Sequence, residues 1–194
     1  QQPVDAVLGD NFQGARLAME YLFKLGHRRI AFIGGIALPG SRPSYKTYSI
    51  QQRWASYCVA LLDHGLPIDY DLVESGNLTT ESGYEACQRL LAHNDNFSAI
   101  FCVDDITAIG ALKALHEAGR RVPEDVSLIG FDDIELARHV TPALTTIHVS
   151  ADQLGATALR TLIARTASPD ASCVTTLLGV TLVKRASACL LYTS

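Results

Sequence analysis

SLIGFDDIELARHVTPALTTI, residues 127–147, joins a short apolar strand, two adjacent carboxylates and a proline-marked return in one unit. Residues 126–129 are mostly apolar and rich in β-branched side chains, with the length of a buried strand, and Gly130-Phe131-Asp132-Asp133 follows directly. Open α/β sheets bind ligands beyond the carboxyl ends of their strands, so carboxylates at this point mark a candidate binding site.

Outward from this stretch, apolar runs alternate with segments of helical periodicity, the order that builds a parallel sheet covered on both faces. Residues 4–8 read as a strand, after which Ala15, Ala18, Met19 and Leu22 recur at helical spacing until Gly26 supplies a left-handed stop. A strand at 30–33 and a long polar loop at 34–48 lead to a helix with Ile50, Trp54, Tyr57, Cys58 and Leu61 on its apolar face, ended by Gly65 and Pro67. The pattern continues with a strand at 72–73, a helix at 83–91, a strand at 99–103 and a helix at 106–118 closed by Gly119. Past Thr141-Pro142 come a strand at 145–149, a helix capped by Ser150 with Gln153 and running through Leu162, and strands at 173–178 and 180–183. The predicted class is α/β with a doubly wound parallel sheet.

Composition bounds the function. The 194 residues are 48% hydrophobic, enough for a sizeable core, and the net charge of −4 offers no bulk basic surface for nucleic acid. Five cysteines (Cys58, Cys87, Cys102, Cys173, Cys189) are odd in number and widely spaced, with no Cys-x-x-Cys, which argues against disulfide or zinc frameworks and fits a cytoplasmic protein. No apolar run is long enough to span a membrane. The six histidines are dispersed, and Gly34-Gly35 with Gly40 makes neither a dinucleotide fingerprint nor a phosphate loop. No metal, cofactor or catalytic residue is predicted, and the chain is not expected to be an enzyme.

Gly-Phe-Asp-Asp followed by Thr-Pro-x-Leu-Thr-Thr resembles the effector-binding core of bacterial LacI/GalR-type transcriptional regulators, relatives of periplasmic sugar-binding proteins. Further matching wording runs from Asp10-Asn11 and Gly14 through LGHRRIAFIGG (25–35), AIGAL (108–112) and VPEDVS (122–127) to LVKR (182–185). The resemblance implies a periplasmic-binding-protein-like fold with two subdomains and a small-molecule effector, a sugar or related polyol, in the cleft between them. It further implies a homodimer formed through the C-terminal subdomain, and DNA contact only through a helix-turn-helix expected before Gln1. On that analogy residues 1–26 and 148–171 belong to a partial N-terminal subdomain, 27–147 and 172–187 to a nearly complete C-terminal one, and 188–194 (ACLLYTS) form a non-native tail. A periplasmic-type sugar receptor is the alternative reading.

Candidate ligand contacts come from physics and resemblance together. Arg53 lies in the first turns of its helix, and its planar fork of five donors suits adjacent hydroxyls or a carboxylate. It falls in Ser49-x-x-x-Arg53-x-x-x-Tyr57, the resembling family's Ser, effector Arg and aromatic, with Ser56 where a glycine is usual. Asp132 and Asp104 each follow an apolar strand and can accept hydroxyl hydrogens from a polyol, although each also precedes a helical segment and could cap it. Asp104 stands where many relatives carry asparagine. Asp105 and Asp133 are expected to cap rather than to bind. Asn77 and Leu78 match an effector-facing position, with a turn at Gly76-Asn77 equally open to that stretch. Phe131, Tyr45 and Tyr48 could offer a ring face to a sugar, whereas Trp54 sits on a core stripe.

With no recognition helix or basic face in its sequence, this 194-residue chain by itself is expected not to bind DNA specifically. A gel-shift titration giving sequence-specific, submicromolar retardation would contradict that.

Overall fold

A computed structural model describes residues 4–34 and 47–191; most of the predicted 34–48 loop, with Tyr45, lies outside the described residues. At its centre four parallel strands run in the order β3 (Val73–Ser75), β2 (Ile30–Gly34), β4 (Ala99–Cys102), β5 (Ser127–Ile129). Alternation along these strands sends side chains to two separate cores. Phe32, Val73, Phe101 and Ile129 face α1 (Asn11–Lys24) and α2 (Tyr48–Asp63). Ala31, Ile33, Ile100, Cys102 and Leu128 face α3 (Thr80–His93) and α4 (Asp105–Glu117). The sheet is doubly wound as its sequence pattern predicts.

Local chemistry sets the helix ends. The Asp10 carboxylate accepts from the Gln13 N–H at 2.9 Å, and Thr79 with Ser82 forms a capping box on α3. Gly26, Gly65 and Gly119 all adopt positive φ where helices stop, as their positions suggested. Small residues decide how closely α3 and α4 approach. A Cβ on Gly83 would strike the Thr107 carbonyl, and one on Gly110 the Thr80 carbonyl, so these backbones meet where no side chain fits.

Two smaller sheets flank this unit. β6 (Thr146–His148) pairs antiparallel with β8 (Thr181–Val183), and β1 (Ala6–Gly9) pairs parallel with β7 (Thr175–Leu178). α5 (Ala151–Ala167) lies against β1 and is fastened there by Arg165, whose fork meets both oxygens of Asp5 at 2.8 Å. The same guanidinium also donates to the carbonyls of Pro169, Ala171 and Ser172, closing the turn after α5.

Three of the expected segments make contacts across the bounds read from sequence. α1, grouped by sequence with residues 1–26, buries Ala15, Ala18, Met19, Leu22 and Phe23 in the core of the four-stranded unit, so the chain enters that unit at Asp10 rather than Gly26. β7, expected with 172–187, pairs instead with β1, because a parallel partner is chosen by tertiary register that no local pattern carries. Residues 188–191 dock on the sheet unit. The Cys189 N–H donates to Ser127 Oγ at 3.1 Å, its carbonyl meets His27 Nε2 at 3.1 Å, and the Leu191 N–H donates to Leu25 O. Residues 192–194 lie outside the described residues.

Gly14 is a point where the fold and its ligand-facing end meet, since a Cβ there would sit 2.5 Å from the Phe131 ring and 3.0 Å from Ile147. Gly14→Ala is expected to cost about 1–3 kcal/mol by overpacking. A urea midpoint equal to that of the parent would show that the Phe131 ring yields freely.

Candidate functional site

Arg53 enters α2 one turn after its start and points its guanidinium across the carboxyl ends of the strands. The residue is 8% exposed and every edge of the fork is used. Nε donates to Asn11 Oδ1 at 2.9 Å, Nη1 to the Val103 carbonyl at 2.6 Å, and Nη2 to Asp132 Oδ1 at 2.9 Å. Its plane lies 3.6 Å above the centroid of the Phe131 ring. A buried guanidinium needs partners all round, and here an amide, a carbonyl, a carboxylate and a π face supply them.

The partners are themselves fixed. Asn11 donates to the Gly9 carbonyl at 2.8 Å and to Ser49 Oγ at 3.3 Å, which turns its oxygen toward Arg53. Asp132 and Asp133 have φ of 104° and 55°, two consecutive non-glycine residues in left-handed backbone. Such conformations cost energy and persist only where surrounding contacts hold them. The Asp132 N–H donates to Ile147 O, and the Asp133 carboxylate takes Arg185 Nη2 at 2.5 Å and His148 Nδ1 at 2.9 Å.

Beneath this turn lies Asp105, fully buried, with Oδ1 on Thr146 Oγ1 at 2.5 Å and Oδ2 accepting the Ile134 N–H at 2.9 Å. Gly130 leaves the room this carboxyl occupies. Burial pushes the Asp105 carboxyl up to about 7, the hydrogen bonds from Thr146 and Ile134 oppose that rise, and the nearby Asp132 and Asp133 charges add to it. Asp132 is also raised, because desolvation outweighs the pull of Arg53 and Asp104 adds repulsion. A cavity of about 550 Å³ is lined by Asp132, Asp133, His148, Ser150 and Asp152, and the Asp132 side chain keeps 39% of its surface exposed.

The structure therefore brings Arg53, Asp132 and Phe131 together as the sequence reading grouped them, but gives Phe131 a different part. Its ring has no exposed surface and supports Arg53 from below, so it is not a ligand-facing platform. Asp104 caps α4 through Oδ1 to the Thr107 N–H at 2.7 Å, leaving Oδ2 for another donor. Asp105 and Asp133, expected as caps, are instead a buried anchor and an ion-pair partner. In the 76–78 turn the left-handed residue is Leu78, at φ 58°, while Asn77 is exposed and bound through its own N–H to Ser82 Oγ. Neither joins the Arg53 cluster by a hydrogen bond among the described residues. Trp54 packs on Phe32 and Tyr57, as its core stripe implied. Asn11, His148 and Arg185 were given no part by sequence reasoning. Asn11 stood in the quoted Asp10-Asn11 pair and Arg185 in LVKR, but nothing local states what they touch.

A family model for the periplasmic binding protein-like domain matches residues 19–188. The chain is a periplasmic binding protein-like domain of the LacI type. It is 39% identical over 183 residues to the HTH-type transcriptional repressor PurR of Erwinia tasmaniensis, covering 94% of this chain and 51% of that protein. The chain thus spans about half the length of the curated relatives it matches. Among solved structures, a transcriptional regulator CelR–cellobiose complex aligns with a TM-score of 0.85 at 34% identity, over 96% of this chain and 54% of the other. A LacI family regulator from Enterococcus faecium with bound ribose aligns at 0.84 and 30%, over 97% and 67%. No helix of this LacI-type domain is long and apolar enough to cross a membrane among the described residues.

The raised Asp105 carboxyl has a pH consequence. It keeps its proton in the folded chain to about pH 7 and loses it near its ordinary value of 3.8 when unfolded. Stability from this group is therefore full below about pH 4 and falls as pH rises toward 7, after which it levels off. Asp105→Asn, which mimics the protonated acid, is expected to shrink the drop in urea midpoint between pH 5 and pH 8. Asp132 shifts in the same direction, so some slope remains. An identical drop in parent and variant would refute the assignment.

Proposed function

We propose that this chain is the effector-sensing part of a LacI-type transcriptional regulator, taking a sugar or related polyol at Arg53 and Asp132. The observation that carries the reading is the Asp132 carboxylate. One oxygen is spent on Arg53, the side chain remains partly exposed on a cavity, and the Arg53 pair fixes its position before a ligand arrives. A positioned acceptor of this kind suits vicinal hydroxyls. Asp104, with a free Oδ2 close enough to raise Asp132, adds a second acceptor at the same edge. Asp104 and Asp132 thus present acceptors, which suit hydroxyl donors. Asn77 and Leu78 are retained as outlying contacts on the same reading.

Relatives crystallised with cellobiose and ribose support the ligand class. The protein acts by binding and not by turnover, in the cytoplasm, as a homodimer joined through the four-stranded unit. An effector that prefers one arrangement of the two units shifts their population by its differential affinity, and a separate DNA reader responds.

Trp54, the one tryptophan of these 194 residues, neighbours Arg53 and stacks on Tyr57, so its fluorescence in this chain reports ligand at this site. Asp132→Asn preserves shape while removing the charge. In the full-length gene product it is expected to weaken binding of the sugar that titrates the parent by about tenfold or more, since an unmatched polar group in a desolvated site costs on the order of 1–3 kcal/mol. Calorimetry and Trp54 fluorescence with ribose and cellobiose check this. A variant that titrates like its parent would remove Asp132 from the site.

A further inference from the structure

Three chain connections join the four-stranded unit to the β1–β7–α5 unit, and residues at all three reach the Asp132–Asp133 turn, two directly and one through Arg53. The first, at Asp10-Asn11, reaches Asp132 through Arg53, which binds Asn11 on one edge and Asp132 on another. The second leaves β6 toward α5 at His148, whose Nδ1 lies 2.9 Å from Asp133 Oδ2. The third returns from β7 through β8 to Arg185, whose Nη2 lies 2.5 Å from Asp133 Oδ1. We propose that Asp133 is a positioning residue of the ligand site: clasped by His148 and Arg185, it holds the left-handed turn that aims Asp132 and ties ligand contact to both later connections. The proposal rests on the Arg53–Asp132 site being where ligand binds.

The clasp is built rather than incidental. The Asp133 side chain is 8% exposed and that of Arg185 14%, so this ion pair is shielded from solvent. Arg185 is pinned elsewhere too, donating Nη1 to Leu144 O at 2.8 Å and its N–H to Thr145 Oγ1 at 3.0 Å. Asp132 N–H to Ile147 O and Ile134 N–H to Asp105 fix the turn on either side. None of these bonds uses Asp132's own carboxylate. A ligand that draws on Asp132 therefore pulls on a turn whose other anchor is shared by the outgoing and returning connections. The two aspartates are adjacent and both left-handed, so contacts that hold the backbone at one bear on the strained turn they share.

The test uses Asp133→Asn, which tolerates left-handed backbone but removes the charge, and Arg185→Lys, which keeps a charge but loses the fork, so that one variant serves if the other fails to fold. In the 194-residue chain, amide exchange at Asp132, Ile134 and Arg185 is expected to speed about tenfold or more, while Phe101 in β4 is unchanged. In the full-length gene product, Asp133→Asn is expected to weaken ribose or cellobiose binding by about tenfold, and to add no further loss when combined with Asp132→Asn. Exchange that is unaltered, or that speeds equally at Phe101, overturns the clasp, as does a loss of affinity that adds to that of Asp132→Asn. If the parent titrates with neither sugar, the sugar reading fails, and the exchange measurement alone decides the clasp.

Discussion

A buried guanidinium organises the ligand-facing end of this protein. Arg53 cannot give up its charge, so burial is tolerable only if every side of the fork meets an acceptor or a ring. Those acceptors come from the start of α1, the end of β4 and the loop after β5, with Phe131 beneath. Strand register, the entry angle of α1 and the left-handed turn at Asp132 must agree before all four contacts can form. Removing one partner of such a charge is costly, on the order of 3–5 kcal/mol, because the remaining charge stays buried. The same constraint keeps Asp132 aimed without a ligand present.

Around this centre, acidity is managed by separation of roles. Asp104 spends one oxygen on a helix cap, Asp105 is buried as a mainly protonated anchor below neutral pH, Asp133 pairs with Arg185 and hydrogen-bonds with His148, and Asp132 pairs with Arg53. Four carboxylates within two short loops would otherwise repel one another. Distinct partners let them sit side by side, and among the described residues Asp132 and Asp104 keep an oxygen for an outside donor.

Much of the architecture was legible in the sequence because it is encoded locally. Apolar runs separated by helical periodicity fixed the order of strands and helices, and Gly26, Gly65 and Gly119 marked helix ends that need positive φ. Arg53 and Asp132 were singled out by residue chemistry at strand and helix ends together with a family resemblance. What was not legible depends on long-range choice. The pairing of β7 with β1, the burial of α1 in the larger core and the contact of Asp133 with Arg185, 52 residues away, leave no mark in any window of sequence. Phe131 was misread for the same reason: its position beside Asp132 is local, but the side that faces Arg53 is decided by Gly14 on another element.

The end of the molecule carrying α5 has a different physical character. No described residue of α5 is buried, and Leu159, Leu162 and Ile163 are each close to 60% exposed. Beside them β1 pairs on one side only among the described residues, with Val4 at 71% and Leu177 at 50% exposure. A two-stranded parallel sheet is marginal by itself, and an open strand edge next to an oily helix is a template for strand addition. Exposed apolar surface at that end of the described residues favours self-association. Salting-out ions strengthen that tendency, and a charged residue in place of an exposed leucine on α5 opposes it.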